Sequence, residues 1–186
     1  DVVAGAFTKT EVYWYKNPGA AGLKLGKLWE QRLLKDTELT QNEASFLHDF
    51  DGDQQPEWIS NSWNKNNPVV IWKFGTATET VEKTTGRGKN KKTTSEEVTV
   101  PTLLKHVIGV DGNTHGMGFG DINNDGHVDL MTTGRGGDRY YINNGTAAPC
   151  TGVTPVSFTG AGGNGHDMRT ADVDLDGVVN AGGRIN

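Results

Sequence analysis

The sequence predicts an all-β protein, and three observations lead to this fold class. The chain has 186 residues, of which 26 are glycine, and glycine is unfavourable inside helices. Short apolar or aromatic runs recur between clusters of turn residues, a pattern typical of strands in antiparallel sheets. An acidic motif occurs three times along the chain, which indicates a repeated structural unit.

The predicted strands follow one order within each repeat. A short apolar run comes first, an aromatic strand follows about a dozen residues later, and a further strand comes behind it. These strands are predicted at Val2–Val3, Val12–Tyr15, Gln31–Leu34, Trp58–Ile59, Val69–Trp72, Lys105–Ile108, Leu130–Met131 and Arg139–Ile142. The segment Gly22–Lys35 also fits an amphipathic helix in part, but the match of its second half to Lys105–Ile108 favours a strand.

We interpret the whole chain, 1–186, as a single repeat region with repeats at about 1–56, 57–128 and 129–180. One insertion, 76–100, is rich in Thr, Lys and Glu around Gly86 and predicts a protruding hairpin. Its basic residues offer a surface for an anionic polymer, but the simpler prediction is a solvated hairpin whose lysines prevent edge pairing. These residues are Lys83, Arg87, Lys89, Lys91 and Lys92.

Composition and charge argue against several function classes. The net charge of −5 argues against nucleic acid as the main partner. The sequence has no run of 18 apolar residues, so it predicts no membrane span. Cys150 is the single cysteine, which excludes an internal disulfide and makes metal ions an alternative means of stabilisation.

The acidic motif is the strongest functional signal in the sequence. The stretches 49–57, 121–129 and 172–180 align without gaps and carry acidic or amide side chains at positions 1, 3, 5 and 9. These residues are Asp49, Asp51, Asp53 and Glu57, then Asp121, Asn123, Asp125 and Asp129, and finally Asp172, Asp174, Asp176 and Asn180. Gly126 and Gly177 occupy position 6, whereas Gln54 stands there in the first stretch.

Several carboxylates in one tight loop repel one another unless a cation neutralises them. Oxygen ligands alone favour Ca²⁺, and the backbone carbonyls of position 7 are natural additional ligands. Position 7 is Gln55, His127 or Val178. An EF-hand is excluded because position 12 is not glutamate in any stretch. The alternative is that these side chains cap turns without metal, which three copies in one register disfavour.

These residues resemble a known family. The stretch Phe119–Leu130 resembles an FG-GAP/VCBS-type repeat, and 48–57 and 170–177 are similar to it. The resemblance implies β-propeller blades of short antiparallel strands, Ca²⁺ in the loops, and a secreted or cell-surface location. About three repeats are fewer than the four to eight blades that close a ring. We therefore expect an incomplete ring, either as part of a longer chain or as a self-associating subunit with open blade edges.

Two histidines share one position relative to the acidic motif. His115 and His166 each lie six residues before the first loop aspartate, and Glu43 takes this place in the first repeat. This set is a candidate metal or acid–base group, although a structural role for the histidines is the simpler interpretation. Exposed tryptophans are candidates for stacking on sugars, but most are expected in the core. The candidates are Trp14, Trp58, Trp63 and Trp72.

Three functions follow as hypotheses. The first is an extracellular calcium-binding module for adhesion or binding, with glycans or cell-surface proteins as partners. The second is the propeller part of a carbohydrate-active lyase or dehydratase, although the segment itself favours no enzyme. The third is a structural subunit that assembles into an oligomer or filament through its blade edges.

Overall fold

The computed structural model describes residues 1–86, 90–110, 115–134, 137–151 and 154–157, and the backbone of 167–171 and 180–184. The described residues form an all-β protein, as the sequence predicts. The first seven strands are β1 (Val2–Ala4), β2 (Glu11–Lys16), β3 (Glu30–Asp36), β4 (Asn42–His48), β5 (Glu57–Ser62), β6 (Val69–Thr85) and β7 (Lys92–Gly109). The remaining strands are β8 (Gly116–Gly120), β9 (Asp129–Thr133), β10 (Arg139–Tyr141), β11 (Val156–Ser157), β12 (Asp167–Ala171) and β13 (Asn180–Arg184).

The strands form four antiparallel sheets in which neighbours in sequence are neighbours in space. The strand orders are β1-β2-β3, β4-β5-β6-β7, β8-β9-β10-β11 and β12-β13. The two central sheets are therefore four-stranded meanders, each of which is consistent with a propeller-like blade. The acidic motifs 49–57, 121–129 and 172–180 each join the first two strands of a meander or of the last sheet.

Packing between the sheets explains why β5 is buried on both faces. Neighbouring side chains on a strand point to opposite faces, and Trp58 and Ile59 on β5 enter two different cores. Trp58 packs with Val12 of the first sheet, whereas Ile59 packs with Leu130 of the third. Burying each such side chain stabilises the fold by roughly 1.5–3 kcal/mol. The second sheet is thus held between its two neighbours.

The first strands of successive sheets lie beside one another. The His48 ring on β4 stacks on Phe119 of β8, with ring centroids 5.6 Å apart, and β12 lies against β8. Of the four candidate tryptophans, two are fully buried, and Trp14 is half-buried against the same core. Trp58 and Trp72 are buried, whereas Trp63 is 42% exposed.

The segment Gly22–Lys35 is only partly the strand that the sequence favoured. Its second half is confirmed as β3, but its start belongs to a short helix, α1 (Gly19–Lys24). Pro18 precedes this helix with φ −72°, a value already suited to a helical start. With six residues, α1 is too short to cross a membrane, and no other helix occurs among the described residues.

The predicted hairpin at 76–100 is confirmed as an extension of β6 and β7. The two strands pair from Val69 opposite Gly109 to Thr85 opposite Lys92, with one irregularity near Val69. Gly86 follows with φ +91°, a conformation that glycine adopts without steric cost. We call residues 76–85 and 92–100 the arm.

Candidate metal centres

The two described acidic loops share one backbone conformation. Positions 4 and 6 have positive φ in both loops: Gly52 (+75°) and Gln54 (+70°) in the first, and Asn124 (+58°) and Gly126 (+88°) in the second. Glycine therefore fills one of the two left-handed positions in each loop, but not the same one. Gln54 adopts the left-handed conformation at the position where the second loop has Gly126, and Gly52 is the glycine that the first loop uses instead.

The two loops also share their hydrogen bonds, position by position. The carboxylate of position 1 accepts from the backbone N–H of position 6, from Gln54 to Asp49 (2.9 Å) and from Gly126 to Asp121 (2.8 Å). Position 3 accepts from the N–H of position 5 at 3.2 Å in both loops. Position 5 accepts from the N–H of position 7 at 2.8 Å and 2.9 Å. Side-chain oxygens thus stabilise the turns of each loop by accepting hydrogen bonds from the backbone of the same loop.

Position 9 anchors each loop to its sheet. Glu57 accepts from the N–H of Phe50, and Asp129 accepts from the N–H of Ile122, both at 2.7 Å. Both carboxylates are buried, and desolvation by burial raises the pKa of each above its ordinary value. A nearby positive charge would therefore stabilise the ionised form of these two buried carboxylates.

The first loop brings three carboxylates close together. Ligand oxygens of Asp49, Asp51 and Glu57 lie within 4.8 Å of one another, the only such group found among the described residues. Lys73 on β6 donates to Asp51, and its Nζ lies 3.9 Å from Asp53 Oδ2. The hydrogen bond to Asp51 raises the pKa of Lys73. One ammonium group therefore offsets part of the negative charge in this loop.

The second loop has a different charge balance. Asn123 replaces an aspartate at position 3 and donates its amide to Asp125 at 2.8 Å. The backbone N–H of His127 and this amide lower the pKa of Asp125. Three carboxylates remain, at positions 1, 5 and 9. The third loop, with Asp172, Asp174, Asp176 and Val178, lies outside the described residues, and Asn180 is described only as the start of β13.

Asn143 is a residue that the sequence analysis did not single out. It is fully buried, and its amide donates to Val128 O at 3.1 Å and to Phe50 O in the neighbouring loop. Its backbone N–H donates to Asp129 at 2.7 Å. Asn143 therefore connects the loops of two sheets.

The sequence carries a signal for this role. Asn17 occupies the equivalent place in the first sheet, where its N–H donates to Asp1 at 2.9 Å. In both places the asparagine side chain accepts from the glycine two residues later, Gly19 or Gly145. An Asn-x-Gly triplet after the aromatic strand identifies the position.

A second cluster lies at the opposite end of the strands. Glu43 lies near the start of β4, and His115 directly precedes β8. Glu43 Oε2 and His115 Nδ1 are 3.8 Å apart. Trp63 donates its indole N–H to Glu43 at 2.6 Å and packs on His115, with ring centroids 4.5 Å apart. The structure therefore brings together two members of the predicted set. His166 lies outside the described residues.

The sheets and loops together define a class of repeated all-β blades in which an acidic loop follows the first strand. The comparison with protein families agrees with this class, since residues 121–180 match the model of the FG-GAP-like repeat. This part of the chain carries an FG-GAP-like repeat, as the resemblance predicted. No curated protein matches the chain.

Proposed function

We propose that the chain is a calcium-binding β-propeller module that serves binding or adhesion outside the cell. The observation that carries the proposal is that the two described loops share their left-handed positions and four hydrogen bonds to the side chains of positions 1, 3, 5 and 9. Two loops of different sequence keep the same left-handed positions and the same carboxylate placement. Turn capping alone does not require acidic side chains at all of these positions.

The donor set fits calcium. The loop side chains offer oxygen atoms only, which hard cations such as Ca²⁺ prefer. Asp49, Asp51, Asp53 and Glu57 would hold the ion in the first loop with the carbonyl of Gln55. The corresponding residues in the other loops are Asp121, Asn123, Asp125, Asp129 and the carbonyl of His127, then Asp172, Asp174, Asp176, Asn180 and the carbonyl of Val178. When bound, the cation neutralises the loop.

Neutralisation matters because the carboxylates are crowded. Two like charges at the 4.8 Å spacing of the first loop repel by about 1 kcal/mol in water, and by several times more near a protein surface. Each loop joins the first two strands of its sheet, so relief of this repulsion stabilises the strand pair. The expected setting is extracellular, as for the family that the chain resembles, and an incomplete ring leaves blade edges for the remainder of a longer chain or for a partner.

The proposal is tested by thermal unfolding in excess Ca²⁺ and in excess EGTA. Saturation at 100 times the dissociation constant stabilises by about 2.7 kcal/mol per site. For a chain of this size, that corresponds to a rise in Tm of about 5–11 °C. The isosteric variant Asp121→Asn should lose part of the rise. The matched control, Asp36→Asn on β3, should keep it. Equal Tm values of the unmodified protein in Ca²⁺ and EGTA would refute the proposal.

We infer a second function, glycan binding, from the cluster opposite the loops. Trp63 and Phe7 are exposed by 42% and 40% and pack edge to face, with centroids 5.5 Å apart. Exposed aromatic rings stack on sugar faces, and the Glu43 carboxylate beside Trp63 accepts hydroxyl protons. A lyase or dehydratase activity remains the alternative for this cluster and rests on His115 together with His166.

Glycan-array binding tests this function. Trp63→Ala should abolish binding, whereas Leu28→Ala, which removes an even more exposed apolar side chain outside the cluster, should leave it unchanged. An enzyme would instead lose turnover in His115→Ala and Glu43→Gln while its Tm stays within a few degrees. Unchanged glycan binding by Trp63→Ala would contradict the assignment.

A further inference from the structure

Within the arm, the outer edges of β6 and β7 have no strand partner among the described residues, and the edge of β7 carries the charge pattern of interest. The strand β7 is the last in its sheet, and within the described part of the chain no strand pairs with its outer side. Residues 91–97 are all exposed. An exposed edge presents a row of backbone donors and acceptors that can pair with another strand.

The charges along this edge are self-complementary. The sequence from Lys91 to Glu97 places two lysines, three hydroxyl residues and two glutamates in a row, centred on Thr94. When two copies of this edge lie antiparallel about Thr94, Lys92 stands opposite Glu96 and Lys91 stands opposite Glu97. Two-fold symmetry makes each pair occur twice. Opposite charges directly across a strand pair are stabilising.

Strand geometry allows this register. In an antiparallel pair, two residues that lie opposite each other direct their backbone N–H and C=O groups either both toward the partner strand or both away from it. The register about Thr94 joins even numbers to even and odd to odd, so it satisfies this condition. Shifting the centre to Lys92 or to Glu96 would place like charges opposite each other. Parallel pairing in register would do the same.

The body of the protein does not obstruct the pairing. In this register, Asn90 lies opposite Val98 of the second copy. Beyond this stretch β7 lies against the first sheet: Val100 and Pro101 line a cavity with Leu34, and the Thr102 hydroxyl donates to Leu34 O on β3 at 3.2 Å. The paired stretch therefore lies outside the body of each copy, and the two bodies lie at opposite ends of the joined arms.

We propose that the arm is a homodimerisation element, in which the edges of β7 from two copies pair antiparallel about Thr94. The sequence interpretation assigned these lysines to the prevention of edge pairing. Glu96 and Glu97, four and five residues after Lys92, change that assignment. The charges of this edge disfavour pairing with edges of other sequence but favour pairing with the same edge of a second copy. The proposal does not depend on calcium binding.

Sedimentation equilibrium of the full chain tests the proposal, between about 10 μM and 500 μM, where a small interface dissociates. The unmodified protein should dimerise in this range. Lys92→Glu and Glu96→Lys should each weaken dimerisation at least tenfold, because like charges then face each other. An equal mixture of the two variants should recover a heterodimer, since the facing charges are again opposite. The control Lys65→Glu, which makes the same charge reversal at an exposed residue outside the arm, should dimerise like the unmodified protein.

Cross-linking tests the register independently. Thr94→Cys places two cysteines opposite each other across the two-fold axis, within reach of a disulfide. Oxidation should therefore give a covalent dimer, whereas Thr85→Cys on β6 should give no covalent dimer. Cys150 is buried and does not compete. A protein that stays monomeric at all concentrations would overturn the proposal. So would a dimer that both charge reversals leave intact, or a mixture of reversals that stays monomeric.

Discussion

Replacing Asn143 by alanine tests how the loops of neighbouring sheets are held together. The Asn143 side chain makes three hydrogen bonds in a fully buried position, to Phe50 O, to Val128 O and from Gly145 N. Each buried hydrogen bond contributes about 0.5–1.5 kcal/mol, and a group left without a partner costs more. The substitution should therefore lower the free energy of unfolding by about 3 kcal/mol.

The assay is urea unfolding at a fixed Ca²⁺ concentration, followed by the fluorescence of the buried tryptophans. A loss of about 3 kcal/mol corresponds to a fall in Tm of about 6–12 °C for a chain of this size. Asn144→Ala is the matched control because Asn144 is the next residue, is exposed, and forms hydrogen bonds only with the exposed Thr146 and Thr151 nearby. Its substitution should change the free energy of unfolding by less than about 0.5 kcal/mol. Equal effects of the two substitutions would refute the reasoning.

Three further predictions concern single residues around the loops. Gly145→Ala should destabilise by more than about 1 kcal/mol in urea unfolding, because φ is +64° and a Cβ would collide with the His127 ring; an unchanged midpoint would contradict this. Lys73→Met should raise the calcium affinity of the first loop in a calorimetric titration, because the ammonium group at Asp51 competes with the ion; an unchanged affinity would argue against competition. Burial raises the pKa of Cys150 to about 12, above the unfolded value of about 8.5. The stability that this thiol contributes is therefore complete below about pH 8.5 and is lost as the pH rises toward 12. Urea unfolding at pH 8 and pH 10 should show a larger loss in the unmodified protein than in Cys150→Ala, and equal losses would contradict the shift.

Features that depend on local sequence could be predicted. The alternation of acidic residues at 49–57 and 121–129 places a loop between two strands, because turn chemistry and strand pattern are both local. The arm followed from Gly86 between two alternating segments. Burial of Trp58 and Trp72 followed from their positions in apolar strands.

Features that depend on contacts between distant segments could not be predicted in this way. Lys73 is 22 residues from Asp51 and reaches it only because β6 lies beside β5 in this register. The amide of Asn143 reaches Phe50, 93 residues away, through the packing of two sheets. The start of α1 was missed because one turn of helix contributes too few periodic positions to outweigh a repeat match.

Native mass spectrometry in Ca²⁺ tests the central claim most directly, since it counts the ions held by each folded chain. The account predicts three bound Ca²⁺ ions, one for each acidic loop, and their loss on chelation. It also predicts one ion fewer in Asp121→Asn and an unchanged number in Asp36→Asn. A folded chain that retains no Ca²⁺, or an Asp121→Asn variant that retains as many ions as the unmodified protein, would contradict the assignment of these loops as calcium sites.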